Sequence, residues 1–275
     1  MRRRYLQVDV FTDTAYRGNP VAVVLDADGL SAADMQHFAH WTNLSETTFV
    51  LPPASPDADY AVRIFTPSAE LPFAGHPTLG TCHAWLAATP AHRGDVVVQE
   101  CGAGPVAVRW HDGRLAFAAP PLVRSGPVEP AVVDAVAGML RIDRAAIADA
   151  EWVDNGPGWV GVLLPSVDAV LALRPGPVDL DIGVIGLYAP GSPHAIEVRA
   201  FFPKDGSTVE DPVTGSLNAS VADWLLRTGR VTAPYVASQG TALGRSGRVH
   251  VSRGDDGTIW VGGDTITCVE GTVEL

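Results

Sequence analysis

The sequence predicts a duplicated α/β fold, two halves in which strands enclose one apolar helix each. Three observations point there. His76-Pro77-x-x-Gly80-Thr81 recurs as Asp211-Pro212-x-x-Gly215-Ser216, 135 positions later. The strand-like hexamer VRIFTP, Val62 to Pro67, recurs as VRAFFP, Val198 to Pro203, at an offset of 136. Asn19 and Asn155 are separated by 136 positions as well. Self-similarity at a long period is the mark a duplicated unit leaves in a sequence. The paired loops are therefore expected to face each other across a pseudo-twofold axis, with the site between the halves.

The chain opens with the alternating YLQVDVF, turns at Gly18-Asn19-Pro20 and enters the apolar VAVVL, a hairpin-like start. Ser31-x-x-Asp34 resembles a capping box, and Leu30, Met35 and Phe38 give the apolar stripe of a helix ending near His40. Thr47 to Leu51 has strand composition, with Glu46 at its mouth, and Val62 to Thr66 is the next strand. Pro77 sits at an early helical position, where its missing N–H costs least, so a helix is predicted near 77–88. Leu79, Cys82, Ala84, Trp85 and Leu86 make that helix apolar on nearly every face, as befits a helix enclosed by its own sheet, and Gly80 and Ala84 leave room for close backbone approach.

Strands follow at Val96 to Gln99, Val106 to Trp110 and Leu115 to Ala118. The proline-rich Pro120 to Pro130 marks the boundary between a first half, 1–122, and a second, 123–275. The second half reads as helices at Ala131 to Leu140 and Arg144 to Ala150, then a turn and buried strand in WVDNGPGWVGVLL. A short helix at Val167 to Leu173 and strands at Val184 to Leu187 and Ala195 to Phe202 precede the second enclosed helix, near 213–228. From Val236 strands alternate with glycine turns, and the last strand could cross back to the first half.

Composition narrows the function classes. Of 275 residues 47% are hydrophobic and 18% charged, which describes a chain with large cores and not a disordered one. A net charge of −12 opposes attraction to phosphate backbones, so nucleic acid is not an expected partner. The basic Arg2-Arg3-Arg4 is not followed by the apolar run of a secretion signal, and no apolar stretch is long enough to span a membrane. A cytoplasmic location is expected. Cys82, Cys101 and Cys268 are odd in number and lack metal-ligand spacing, so they are expected to be reduced and mostly buried, with no metal site.

Five motifs in this order resemble the PhzF-like family of phenazine biosynthesis, related in fold to diaminopimelate epimerase: VDVFTDTAYRGNPVAVV, NLSETTFV, FAGHPTLG, EDPVTGS and SQGTALGRSGRV. The resemblance covers nearly the whole chain. It implies two pseudo-symmetric halves, each a curved mixed sheet wrapped around a central helix, a homodimer, and an isomerase without a cofactor. It also implies that Glu46 is the catalytic acid/base and that His76, Asp211 and Ser216 line the site. The related epimerases carry two opposed cysteines at the helix junctions. This chain has Ala74 and Asp211 near those places, which disfavours a paired-thiol mechanism.

Aligned peptide dipoles at each helix start favour an anion such as a substrate carboxylate. Thr81 and Ser216 add hydroxyl donors, Gly75 and Gly215 let a ligand approach the backbone, and Asn19 completes the expected substrate-binding set. Glu46, His76 and Asp211 form the expected catalytic set. Burial near Leu44 and Phe49 would raise the Glu46 pKa toward a working range. A single carboxylate could then take a proton from one carbon and return it to another. His76 and Asp211 would hydrogen-bond the substrate or pass protons, although Asp211 also fits a plain helix cap. His83 reads as packed against the sheet, His194 as a loop residue, and Trp85 and Trp224 as core. Two other functions fit the same residues: an amino-acid racemase, which needs a second base opposite Glu46, and a small-molecule-binding protein without turnover. At the repeat offset of Glu46 stands Ile182, an asymmetry that favours one base and so an isomerase.

Overall fold

The computed structural model describes every residue except Arg93 and Asp205. The chain forms two compact units, Met1–Ala118 with Gly262–Leu275, and Ala119–Val261. The first contains β1 (Arg2–Val10), β2 (Asn19–Val24), α1 (Ala32–Thr42), β3 (Glu46–Leu51), β4 (Tyr60–Phe65), β5 (Glu70–Leu71), α2 (Gly75–Ala88), β6 (Val96–Cys101), β7 (Gly104–His111) and β8 (Arg114–Ala118). The second runs through β9 (Arg124–Pro127), α3 (Pro130–Leu140), β10 (Asp149–Asp154), β11 (Val160–Leu163), α4 (Val167–Ala172) and β12 (Ile182–Leu187). It continues with β13 (Ile196–Lys204), β14 (Ser207–Asp211), α5 (Gly215–Arg227), β15 (Tyr235–Gln239) and β16 (Gly247–Arg253). After β17 (Ile259–Gly263), β18 (Thr265–Glu274) lies antiparallel on β1, so the last residues group with the first unit. The division after Ala118 also falls a few residues before Leu122.

Both units are mixed α/β and repeat one order of pairings. In the first, β1–β2 is antiparallel, β2–β3 parallel across α1, β3–β4 and β4–β5 antiparallel, β4–β6 parallel across α2, and β6–β7 antiparallel. In the second, β10–β11, β11–β12 across α4, β12–β13, β13–β14, β13–β15 across α5 and β15–β16 follow the same sequence of directions. Each parallel pair needs a crossover long enough to hold a helix, and α1, α2, α4 and α5 supply the four.

Local chemistry sets the element ends. Ser31 and Asp34 make the expected capping box on α1, and Asn43 closes that helix in the left-handed region. The segment Arg144 to Ala150 is not the expected helix: Asp143 accepts from the Ala145 N–H to cap one 3₁₀ turn, Arg144–Ala146, and Asp149 already pairs with Leu163. Val213 and Thr214 stay outside α5, which begins at Gly215.

The central helices are packed in opposite ways. On α2, Gly80 lies so close to β2 that a Cβ there would stand 2.3 Å from Val21 Cγ1. In the second unit the glycines are in the strands, where a Cβ at Gly183 would meet Leu217 Cδ1 at 2.4 Å and one at Gly161 would meet the Trp224 ring at 3.0 Å. A small helix residue against large strand residues and the reverse fill space equally well. Trp224 is fully buried, whereas Trp85 stacks on Tyr60 at 5.3 Å between ring centroids. His83 packs as expected, its ring held by the Thr265 and Thr267 hydroxyls of β18, each at 2.9 Å.

The helix starts correct the alignment of the two halves. The first turn closes with Thr78 N–H to the Ala74 carbonyl in α2 and with Asn218 N–H to the Thr214 carbonyl in α5. Gly75 therefore corresponds to Gly215, an offset of 140, and Glu70-x-Pro72-x-x-Gly75 matches Glu210-x-Pro212-x-x-Gly215. His76 corresponds to Ser216 and not to Asp211, which falls on Leu71. Pro77 lies inside the first turn of its helix and Pro212 precedes its helix, so the likeness of the two proline motifs is not a structural equivalence. Neighbouring groups agree. Arg63 forks onto Glu70 at 2.6 and 2.7 Å, and Arg199 onto Glu210 at 2.7 and 2.9 Å. Each guanidinium also covers a phenylalanine, Phe65 or Phe201.

Candidate active site

In the first unit the loop between β1 and β2, the start of β3 and the start of α2 meet around one imidazole. Asp9, buried on β1, accepts the N–H groups of Arg17 at 2.8 Å and Gly18 at 3.0 Å. A Cβ at Gly18 would stand 2.1 Å from the Val10 carbonyl oxygen, so only glycine fits this turn. The turn delivers Asn19, fully buried, whose Nδ2 is 3.4 Å from His76 Nδ1. On the other side of the ring, His76 Nε2 is 3.3 Å from Glu46 Oε2. The Glu46 side chain is 15% exposed and that of His76 6%.

Burial pushes His76 down to about 3, against the opposing effect of a hydrogen bond to the Pro20 backbone. The ring is therefore neutral near pH 7, hydrogen-bonded on the Asn19 and Pro20 side, with Nε2 close to Glu46 Oε2 but not hydrogen-bonded to it. Beside a carboxylate this makes His76 a hydrogen-bonding and proton-passing group, not a standing cation. Asn19 is enclosed against the ring, beside the His76 it was expected to accompany in the site.

The rest of the expected set divides in two. Gly75 is the first residue of α2 and adjoins the Glu46–His76 pair. Thr81 does not: it is fully buried, and its hydroxyl donates to Thr48 on β3 at 2.8 Å, which ties α2 to its sheet. It stands more than a turn beyond Gly75, too deep in the helix to reach a ligand at the end. In the second unit Asp211, Gly215 and Ser216 gather at the start of α5. Asp211 accepts the Thr214 hydroxyl at 2.6 Å, and Ser216 Oγ accepts the Trp159 indole N–H at 3.3 Å. Asn155 donates to the Ser216 carbonyl at 2.9 Å, so each unit sends an asparagine from a turn to the second residue of its central helix.

Neither helix has a side-chain cap on its first turn: Ala74 carries no acceptor, and Thr214 makes no capping bond. The first N–H groups are thus left to water or a ligand, and the dipole favours an anion there. Buried glutamines hold both starts in place. Gln99 donates to Thr78 at 3.0 Å and accepts from Tyr60 at 3.0 Å. Gln239, in the SQG motif, accepts from the Thr214 N–H and Asn218 and donates to Thr214 Oγ1. Gln99 and Trp159 carry no motif signal of their own; the readable hints are the positions of Asp9 within VDVF and of Gln239 within SQG.

Among the described residues no group of three His, Cys, Asp or Glu could hold a metal ion, and no helix is long and apolar enough to cross a membrane. The three cysteines are free, but only Cys82 is fully buried, its thiol pushed up to about 12 by burial. Cys101 and Cys268 are half-buried, a correction to the expectation.

Comparison with known proteins agrees with this architecture. The chain is 36% identical over 285 residues to trans-2,3-dihydro-3-hydroxyanthranilate isomerase of Pseudomonas fluorescens, covering 98% of this chain and 99% of that one. It is 35% identical to antisense-enhancing sequence 1 of Schizosaccharomyces pombe, covering 97% of each. A crystal structure of a phenazine biosynthesis protein of the PhzF family from Enterococcus faecalis superposes with a TM-score of 0.81 at 26% identity, covering all of both chains. The model of the phenazine biosynthesis-like protein family matches residues 8–271, and the chain belongs to that family.

Proposed function

We propose that this isomerase moves a proton between two carbons of a small carboxylate-bearing metabolite, with Glu46 as the acid/base and no cofactor. The observation that carries the reading is the Glu46–His76 pair, 3.3 Å apart at an uncapped helix start, with the carboxylate partly open and the imidazole enclosed. In carboxylate form Glu46 takes a proton from carbon. The electron pair left behind spreads over the adjoining double bonds, and the acid form of Glu46 returns the same proton to another carbon of that system. Atoms and charge balance without any other reactant. His76 hydrogen-bonds the substrate or relays the proton, and the N–H groups at the start of α2 hold its carboxylate. The relative from Pseudomonas fluorescens is named for a dihydro-hydroxyanthranilate, so an amino-carboxylate ring with conjugated double bonds is the first substrate class to try.

Incubation in heavy water tests this directly. Wild-type protein with such a substrate is expected to incorporate deuterium at carbon, and Glu46→Gln to lose at least about a hundredfold of that rate, in line with removal of a general base, while binding is kept. Full exchange by Glu46→Gln would sink the assignment. The similarity to a protein named only for enhancing antisense action favours one other reading, tight binding without exchange, which the same experiment detects.

A further inference from the structure

The second unit has its own carboxyl at the place of Glu46, and it is Asp181. Two strand registers agree on this. Thr47 of β3 pairs with Phe65, and Ile182 of β12 pairs with Phe201; those phenylalanines are equivalent, each lying two residues beyond the arginine that forks onto Glu70 or Glu210. Thr47 thus corresponds to Ile182, and the preceding residues, Glu46 and Asp181, correspond to each other. On the other side, Ala22 pairs with Thr47 and Gln7, and Val160 with Ile182 and Trp152. That register sets Asp9 opposite Asp154 in the repeat. The match is chemical as well: Asp154 accepts the N–H groups of Gly156 and Gly158, both at 2.7 Å, as Asp9 accepts those of Arg17 and Gly18.

The facing direction follows. Thr48 meets α2 through Thr81, and its counterpart Gly183 lies against Leu217 of α5. Alternation along a strand puts the residue two places earlier on the same face, so Glu46 and Asp181 each look toward their central helix. Ile182, at the simple repeat offset, instead belongs to the outer cluster with Val170 and Phe201.

The Asp181 carboxyl is half-buried and makes no hydrogen bond or ion pair among the described residues, while its carbonyl accepts from Val160. Asp154 is the charged group acting on it. Burial first and Asp154 second raise its pKa to about 6, so a large part of it holds a proton in mildly acidic solution. Trp159, next to Val160, fills a lone pair of Ser216 Oγ, which leaves the Ser216 proton for another acceptor.

We propose that Asp181 is a second acid/base of this protein, exchanging its proton with a small carboxylate held at the start of α5. This deepens the proposed function and rests on its reading that an uncapped helix start, there that of α2, binds a carboxylate. In the step proposed, protonated Asp181 gives its proton to a basic atom of the ligand and regains one from water, with no oxidation or other reactant. The consequence is that the function is not restricted to one base by the repeat, as the pairing of Glu46 with Ile182 would have required.

The test is a ¹³C NMR titration of aspartate carboxyls, with the Asp181 signal assigned by its loss in Asp181→Asn and anthranilate as the probe. Asp181 is expected to titrate near the value given by its surroundings, and anthranilate to move its midpoint upward by at least about half a unit, since an anion nearby favours the neutral acid. By linkage, anthranilate affinity of the wild type should fall by about twofold or more from pH 5.5 to pH 7.5, and this dependence should vanish in Asp181→Asn. An Asp181 signal that ignores anthranilate, or an unchanged pH dependence in Asp181→Asn, overturns the proposal. The two readings fail separately: continued exchange by Glu46→Gln removes the single-base reaction and leaves the Asp181 titration standing, and the reverse outcome leaves Glu46 untouched.

Discussion

At the scale of single residues, the carboxylate of Glu46 and the enclosed ring of His76 come from distant parts of the first unit. Glu46 and His76 lie 30 positions apart and were singled out together, and the fold brings them to 3.3 Å. Asp181 is hidden in the sequence because the offset between equivalent residues changes along the chain. It is 145 for Asp9 and Asp154, 135 for Glu46 and Asp181, 136 for Arg63 and Arg199, and 140 for Glu70 and Glu210. Loops of unequal length produce that drift, and only hydrogen-bond register removes it. Thr81 failed as a ligand donor for another reason, since a hydroxyl on a helix enclosed all round is as readily turned into the core as out of it. The enclosed His76 also has a thermodynamic signature. Its pKa falls from 6.5 unfolded to about 3 folded, so the unfolded chain binds the proton first and stability is lost as pH drops through that interval. His76→Asn is expected to flatten this part of the acid limb, read as the urea midpoint at a series of pH values; an unchanged limb would contradict the neutral, buried ring.

At the scale of elements, the all-round apolar character of Leu79 to Leu86 made α2 readable, and the close approach inferred for Gly80 is present. What the sequence could not reveal is that α5 solves the same packing problem from the strand side, through Gly161 and Gly183. Short elements were the least legible. β5 and β14 are held by cross-strand pairing with β4 and β13, to which the Arg63–Glu70 and Arg199–Glu210 forks add. Gly80→Ala places a methyl group against the branched, buried Val21, which cannot turn away. It is expected to cost about 1–3 kcal/mol, the usual penalty for overpacking, measured as a lower denaturation midpoint. A change within the error of the midpoint would mean that α2 can slide on β2.

At the scale of the whole molecule, the duplication was visible before any coordinate, and the shared order of strand pairings bears it out as a mixed α/β architecture. The return of the last strand was foreseeable only as a possibility, because nothing in TITCVEGTVE names its neighbour. Its register on β1 runs from Thr265 opposite Val10 to Glu274 opposite Arg2, with one irregularity between Gln7 and Val8. Deleting 262–275 is expected to strip β1 of this partner and expose Leu6 and its neighbours. The readouts are dye binding to exposed apolar surface and loss of a single cooperative melt. A deletion variant that melts like the full chain would show that β18 is dispensable.

That register has a consequence in time as well as in space. The Leu275 N–H donates to the Met1 carbonyl at 3.1 Å, so two residues far apart in the chain are neighbours in one unit. On the ribosome, where chains emerge at roughly 5–20 residues per second, Met1–Ala118 must wait for the whole of Ala119–Val261 before its final strand exists. The unit encoded second is the first that can be finished, and the open edge of β1 is what nascent-chain binding factors would meet in the interval.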